Sequence, residues 1–101
     1  MSLIQLPFMP FFEGPMLAGI KTCTSRTSRK GSPGDRFSVF GATFELLDVS
    51  LVPLSDVANM WKEEGCRSRE HFIDVWCCIH PKKGFQPDQR VYLHHFKRVM
   101  L

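Results

Sequence analysis

No apolar run in this chain is long. The hydrophobic stretches near the N-terminus are cut by Pro7, Pro10 and Pro15, and none approaches the ~20 residues that a membrane-spanning helix requires. No basic flank leads into an uninterrupted apolar stretch at the start, so the pattern of a secretory leader is missing and the expected location is cytoplasmic, with no membrane partner. Repeats, low-complexity tracts and any linker long enough to separate domains are missing as well. At 101 residues the expectation is one domain spanning 1–101.

Cysteine is poorly spaced for stapling or for metal. The four are Cys23, Cys66, Cys77 and Cys78; two of them are adjacent, unlike the framework of a secreted mini-protein, so all four read as reduced thiols. Structural zinc sites use cysteine pairs two to four residues apart, which Cys77-Cys78-Ile79-His80 does not offer. No metal and no cofactor are expected. His94 and His95 sit side by side on a candidate strand and must point to opposite faces, one exposed and the other partly covered.

Net charge is also low, at +3, but it is unevenly spread. Residues 1–36 carry Lys21, Arg26, Arg29, Lys30 and Arg36 against two acids; residues 45–75 carry seven acids against three bases; residues 76–101 carry five bases against Asp88. Two basic ends that met in space would form a patch able to attract phosphate. The same charges would also suit an ordinary solvated surface.

What the chain does hold is enough apolar material for a core: 44% hydrophobic residues, nine of them Phe, which excludes disorder. Leu3–Phe8 reads as a short strand closed by Pro10. Gly14-Pro15 opens a short helix, with Met16, Leu17 and Ile20 on its buried face and Gly19 at its end. The Thr/Ser-rich stretch 22–28 favours extended chain, and Gly31–Asp35 a turn. From Arg36 the period is two: Phe37 and Val39, then Gly41, then Phe44 and Leu46, a hairpin whose second strand continues toward Val52. Ser55 is placed to cap a helix bearing Val57, Ala58 and Trp61 on one face, and Gly65 ends it. Ser68 caps a second helix, where Phe72, Val75, Trp76 and Ile79 form a stripe that Pro81 stops. Arg90–Val99 alternates as a last strand. Strands and helices do not alternate regularly, which disfavours a parallel βαβ sheet. The predicted class is α+β, a small barrel or strongly curved sheet with helices attached.

The densest chemistry lies in Gly19-Ile20-Lys21-Thr22-Cys23-Thr24-Ser25-Arg26-Thr27. On an extended segment Thr22, Thr24 and Arg26 share a face; Lys21 has the other parity and joins Thr24 only if the backbone bends near residue 22. A Lys beside a Thr hydroxyl can serve as its base if burial or Arg26 lowers the Lys pKa. A plain surface strand of solvated cations and β-prone hydroxyls accounts for the same residues.

Gly19-x-Lys21-x-x-x-x-Arg26 resembles the GxKxxxxR signature of the ASCH domain, a branch of the PUA-like superfamily. The resemblance continues through Gly34-Asp35 and the Phe37–Phe44 hairpin, through Trp61–Gly65 and the helix from Ser68 to Trp76, and into Tyr92-Leu93-His94-His95-Phe96. It implies a small PUA-like β-barrel with flanking helices and a cleft lined by the signature. It implies a partner, either RNA or a nucleoside, held by a basic cleft in which Lys21, Arg26, Arg29 and Lys30 meet phosphate and Trp61 or Tyr92 stacks a base. It also implies an alternative activity, since some small bacterial members hydrolyse N(4)-acetylcytidine with a Lys base, a Thr nucleophile and a Glu proton donor. By position in the signature the first two are Lys21 and Thr24; for the acid Glu64, in the Glu-Gly before the second helix, is the first choice and Glu63 the second. Both Lys21 and Thr24 are expected at a cleft surface, where truncation spares the fold. Oligomeric state is left open.

Overall fold

In the computed structural model, residues 2–100 are described. Helix α1 (Glu13–Leu17) follows a 3-10 turn over Pro10–Phe12, and Gly14-Pro15 lies inside its first turn. Of the face expected to be buried, Met16 is enclosed, Leu17 is half-buried and Ile20 is exposed. The helix is too short for all three to reach one side. Gly19 has a positive φ of 76°, a backbone state that costs glycine little, and there the chain turns into β1 (Cys23–Arg26).

The period-two stretch forms β2 (Arg36–Val39) and β3 (Ala42–Pro53), joined by a tight turn at Phe40-Gly41. α2 (Leu54–Asn59) and α3 (Arg69–Ile79) follow, and β4 (Arg90–Val99) completes the set. The strands make one antiparallel sheet in the order β1-β4-β3-β2. Leu46 pairs with Phe96 and Asp48 with His95, so Leu47 is an extra residue on β3. Such a bulge bends a strand and increases its twist. The result is a curled half-barrel with helices attached, an α+β architecture.

Residues 3–8 do not form the expected strand. Leu3 makes one isolated parallel bridge to Arg36, and Pro7 cannot donate to a ladder. The segment instead links the two edges of the sheet. Ser2 donates its N–H to Asp35 Oδ1 at 3.0 Å and Ile4 to the Arg36 carbonyl at 2.9 Å, beside β2; the Pro7 carbonyl accepts from Arg26 Nη2 at 2.7 Å, beside β1.

A cluster of Phe37, Phe44 and Phe96, with ring centroids 5.3–5.5 Å apart, fills the concave side of the sheet. All three are buried, each contributing about 1.5–3 kcal/mol by removal from water. Leu54, Val57 and Ala58 of α2 and Phe72 and Trp76 of α3 extend this core. Ser55 does not cap α2: it lies within the helix, which starts after Pro53. Trp61 falls beyond the end of α2 and is half-buried. Ser68 does cap α3, accepting the His71 N–H at 3.0 Å. Among the described residues no helix is long and apolar enough to cross a membrane.

Candidate functional site

The parity problem at Lys21 is solved by a bend. Lys21 N–H donates to the Pro15 carbonyl at 3.0 Å, while Thr22 and Cys23 both donate to the Glu63 carbonyl, at 2.8 and 3.2 Å. Strand β1 begins only after this kink, and Lys21 reaches the same cleft as Thr24. Thr22 does not share it. Its side chain lies toward a second cavity, of about 380 Å³, with Met16, Phe44 and Phe96.

The main cleft is about 500 Å³, an ordinary size for a small-molecule site. One wall is polar: Lys21, Thr24, Ser25, Arg26, Thr27, Lys30 and Glu64. The rest of the lining is apolar and aromatic: Phe8 and Phe12 from the N-terminal segment, lying against Arg26 and Lys21, and Phe72, Val75, Trp76 and Ile79 from α3. The stripe read in the sequence as a core face therefore does two jobs. Phe72 and Trp76 are buried in the core, Ile79 is 51% exposed, and all four side chains border the cleft.

Lys21 is 1% exposed and Thr24 5%, which corrects the expectation that both sit at a surface. Nζ donates to the Cys23 carbonyl at 2.8 Å, the Glu64 carbonyl at 2.6 Å and Glu64 Oε1 at 3.3 Å, so all three of its donors are engaged. Nζ also stands 4.3 Å from the centre of the Phe12 ring, within cation–π range. Gly65 completes this cradle. Its φ is +87°, and a Cβ there would lie 2.9 Å from Lys21 Cβ, so only glycine leaves room for the Lys21 stem. Of the two candidate acids, Glu64 is buried beside Lys21, whereas Glu63 is exposed and contributes its carbonyl.

Thr24 Oγ1 accepts from Arg26 Nε at 3.4 Å. The Arg26 guanidinium lies 4.9 Å from the centre of the Phe8 ring, and burial lowers its pKa, partly opposed by Glu64. Lys30 is exposed at the rim. Its backbone N–H donates to His94 Nε2 at 3.0 Å, and His94 Nδ1 lies 3.0 Å from the Tyr92 carbonyl. Since Nε2 must accept, Nδ1 carries the proton and donates. His94 is fully buried, deeper than expected, and burial holds its pKa below the usual histidine value; His95 is half-buried. Arg29 is exposed, donates to Ser32 Oγ at 3.4 Å and does not border the cleft.

Burial, then the neighbouring Glu64, pushes the Cys23 thiol far up, and burial raises Cys66 to about 11. Neither is a ready thiolate nucleophile at neutral pH. Among the described residues no cluster of three or more His, Cys, Asp or Glu is placed to hold a metal. Trp61 and Tyr92, the expected stacking residues, do not line the cleft; Trp76 does, stacked on His80 with centroids 4.1 Å apart. Trp76 Nε1 is buried without a hydrogen-bond partner. The two basic ends are brought together by the β1–β4 pairing, but their side chains diverge: Arg26 and Lys30 border the main cleft, Lys97 and Arg98 the second cavity.

The curled sheet with its attached helices is a small α+β fold, and it is similar to solved structures that include an ASCH domain. The crystal structure of an ASCH domain from Lactobacillus crispatus superposes with a TM-score of 0.62 at 16% identity, covering 96% of this chain and 78% of that one. A hypothetical protein, PH0355, gives 0.74 at 13% identity over 98% and 100%. A Pyrococcus furiosus protein solved by NMR gives 0.64 at 12% identity over 99% and 97%. At these identities the likeness is one of fold. No protein-family model matches the chain, and no curated protein sequence matches it.

Proposed function

We propose that this chain binds RNA or a modified nucleoside in the cleft between β1 and α3. The observation that carries the reading is the pairing of unlike walls. A planar base would pack against Phe72 and Trp76 of α3, while Thr24, Arg26, Lys30 and Glu64 line the same cleft with donors and acceptors. Aromatic rings opposite cations are how single-stranded nucleic acid and its components are held. Lys21 enters as half of an ion pair rather than as a free cation, so phosphate falls to Arg26 and Lys30. Calorimetric titration with cytidine, N(4)-acetylcytidine and a short single-stranded RNA tests this. Saturable binding, with that of the RNA weakened by Lys30→Ala, supports it; no heat from any of the three refutes it.

A second reading has its own support: Lys21, Thr24 and Glu64 border one cleft. Transfer of one proton from Nζ to Oε1 across 3.3 Å would turn the ion pair into an amine and a carboxylic acid, the forms that deacylation needs. Thr24 Oγ1 would attack the acyl carbon of N(4)-acetylcytidine and give its proton to Lys21. Glu64 would protonate the departing exocyclic nitrogen, leaving cytidine and an acetyl ester on Thr24 for water to hydrolyse. Release of cytidine by the wild type and its loss in Thr24→Ala is the expected outcome under this reading. Turnover that survives in Thr24→Ala removes the mechanism.

A further inference from the structure

Strand β1 has a neighbour on one side only, because the sheet runs β1-β4-β3-β2. In an antiparallel pair, residues that bond to the partner alternate with residues whose N–H and C=O point away. Three contacts set the phase. Phe96 N–H donates to the Thr22 carbonyl at 2.9 Å, whereas Cys23 N–H goes to Glu63 and the Cys23 carbonyl receives Lys21 Nζ. Cys23 therefore turns its backbone groups to the open side, and two residues on so does Ser25. At Cys23 the cradle occupies them. At Ser25, among the described residues, neither group has a hydrogen-bond partner. The cleft lies along this edge: Thr24, Ser25, Arg26 and Thr27 border it in unbroken succession, which alternating side chains on one sheet face do not do.

We propose that the free backbone edge of Ser25 reads the hydrogen-bonding edge of a nucleobase. The Ser25 N–H donates to a ring nitrogen, and the Ser25 carbonyl accepts from the exocyclic amine beside it. This rests on the nucleoside reading of the cleft and says which portion of the ligand is recognised. The edge offers one donor–acceptor pair, closed off on the Cys23 side. That fits a two-point heterocycle edge and not a peptide strand, which needs successive ladder positions. Backbone recognition of this kind leaves no signature in side-chain identity.

The test is a titration of the ¹⁵N-labelled full chain with cytidine and with 3-deazacytidine, neutral and with C–H in place of the accepting ring nitrogen. A saturable downfield shift of the Ser25 amide with cytidine is expected, and at least tenfold weaker binding of 3-deazacytidine. Ser25→Pro removes the N–H on an edge strand, where proline is tolerated; it should weaken cytidine binding at least tenfold and bind the two nucleosides equally. If that variant does not fold, the wild-type shifts and the slowed exchange of the Ser25 amide on binding decide. Movement of the Lys30 amide and Trp76 indole with a stationary Ser25 amide overturns this proposal and keeps the nucleoside reading. No response at the cleft to either nucleoside overturns both.

Discussion

Lys21 is a cation with almost no access to water, and its stability contribution depends on Glu64. Burying two charges is costly, so the pair contributes little by itself, but removing one partner leaves the other uncompensated. Glu64→Gln is expected to cost about 3–5 kcal/mol in urea denaturation; a loss under about 1 kcal/mol would show that water reaches the ammonium. His94 supplies a pH dependence. Its folded-state pKa is depressed mainly by burial, with Arg26 and Arg29 as nearby charges acting in the same direction and its hydrogen bond to the Tyr92 carbonyl opposing. Between the unfolded value of about 6.5 and the lower folded value, the unfolded chain binds more protons. Stability is therefore full above about pH 6.5 and falls as pH drops below it. Protonation also converts Nε2 from acceptor to donor, against the Lys30 N–H. His94→Gln, which keeps an acceptor but does not titrate, should flatten the stability profile between pH 5 and 7. An unchanged slope would assign it to another group.

At the scale of elements, α3 supplies one wall of the cleft, and its 11 residues are too few to be stable without help. Ser68→Ala should lower stability by about 1 kcal/mol through loss of the cap, read by thermal melting, with Ser68→Asp restoring it. No change in melting would mean that packing of Phe72 and Trp76 alone holds the helix start. This cap is legible in the sequence because Ser68 stands directly before a 3.6-period stripe. The hairpin is legible from its period of two. The true state of Leu3–Phe8 and of Ser55 is not, since isolated hydrophobic and hydroxyl residues do not reveal whether a partner strand or a helix start lies beside them. The cradle is only half legible: the GxKxxxxR spacing marks Lys21, but a lysine enclosed by Glu64 and Gly65 looks in sequence like any surface lysine. Trp76 is visible as an apolar stripe residue, and nothing in that pattern tells a core face from a face that also borders a cavity.

At the scale of the whole molecule, charge segregation sets how nucleic acid would be held. Only Arg26 and Lys30 among the basic residues of 1–36 are placed for phosphate at the cleft. With about two contacts to a single strand, affinity should fall roughly sevenfold between 50 and 200 mM salt. A much steeper dependence in fluorescence titration would bring in the distant Lys97 and Arg98. The Lys21 side chain also stands between the two cavities, bordering both. It is thus a partition as well as a charge. Lys21→Ala would take away three carbons and an ammonium and join the cavities through a gap of the size and polarity of propylammonium. Millimolar propylamine hydrochloride should then raise the melting temperature of Lys21→Ala and leave that of the wild type unchanged. The buried lysine would in effect have been replaced by a diffusible copy of itself.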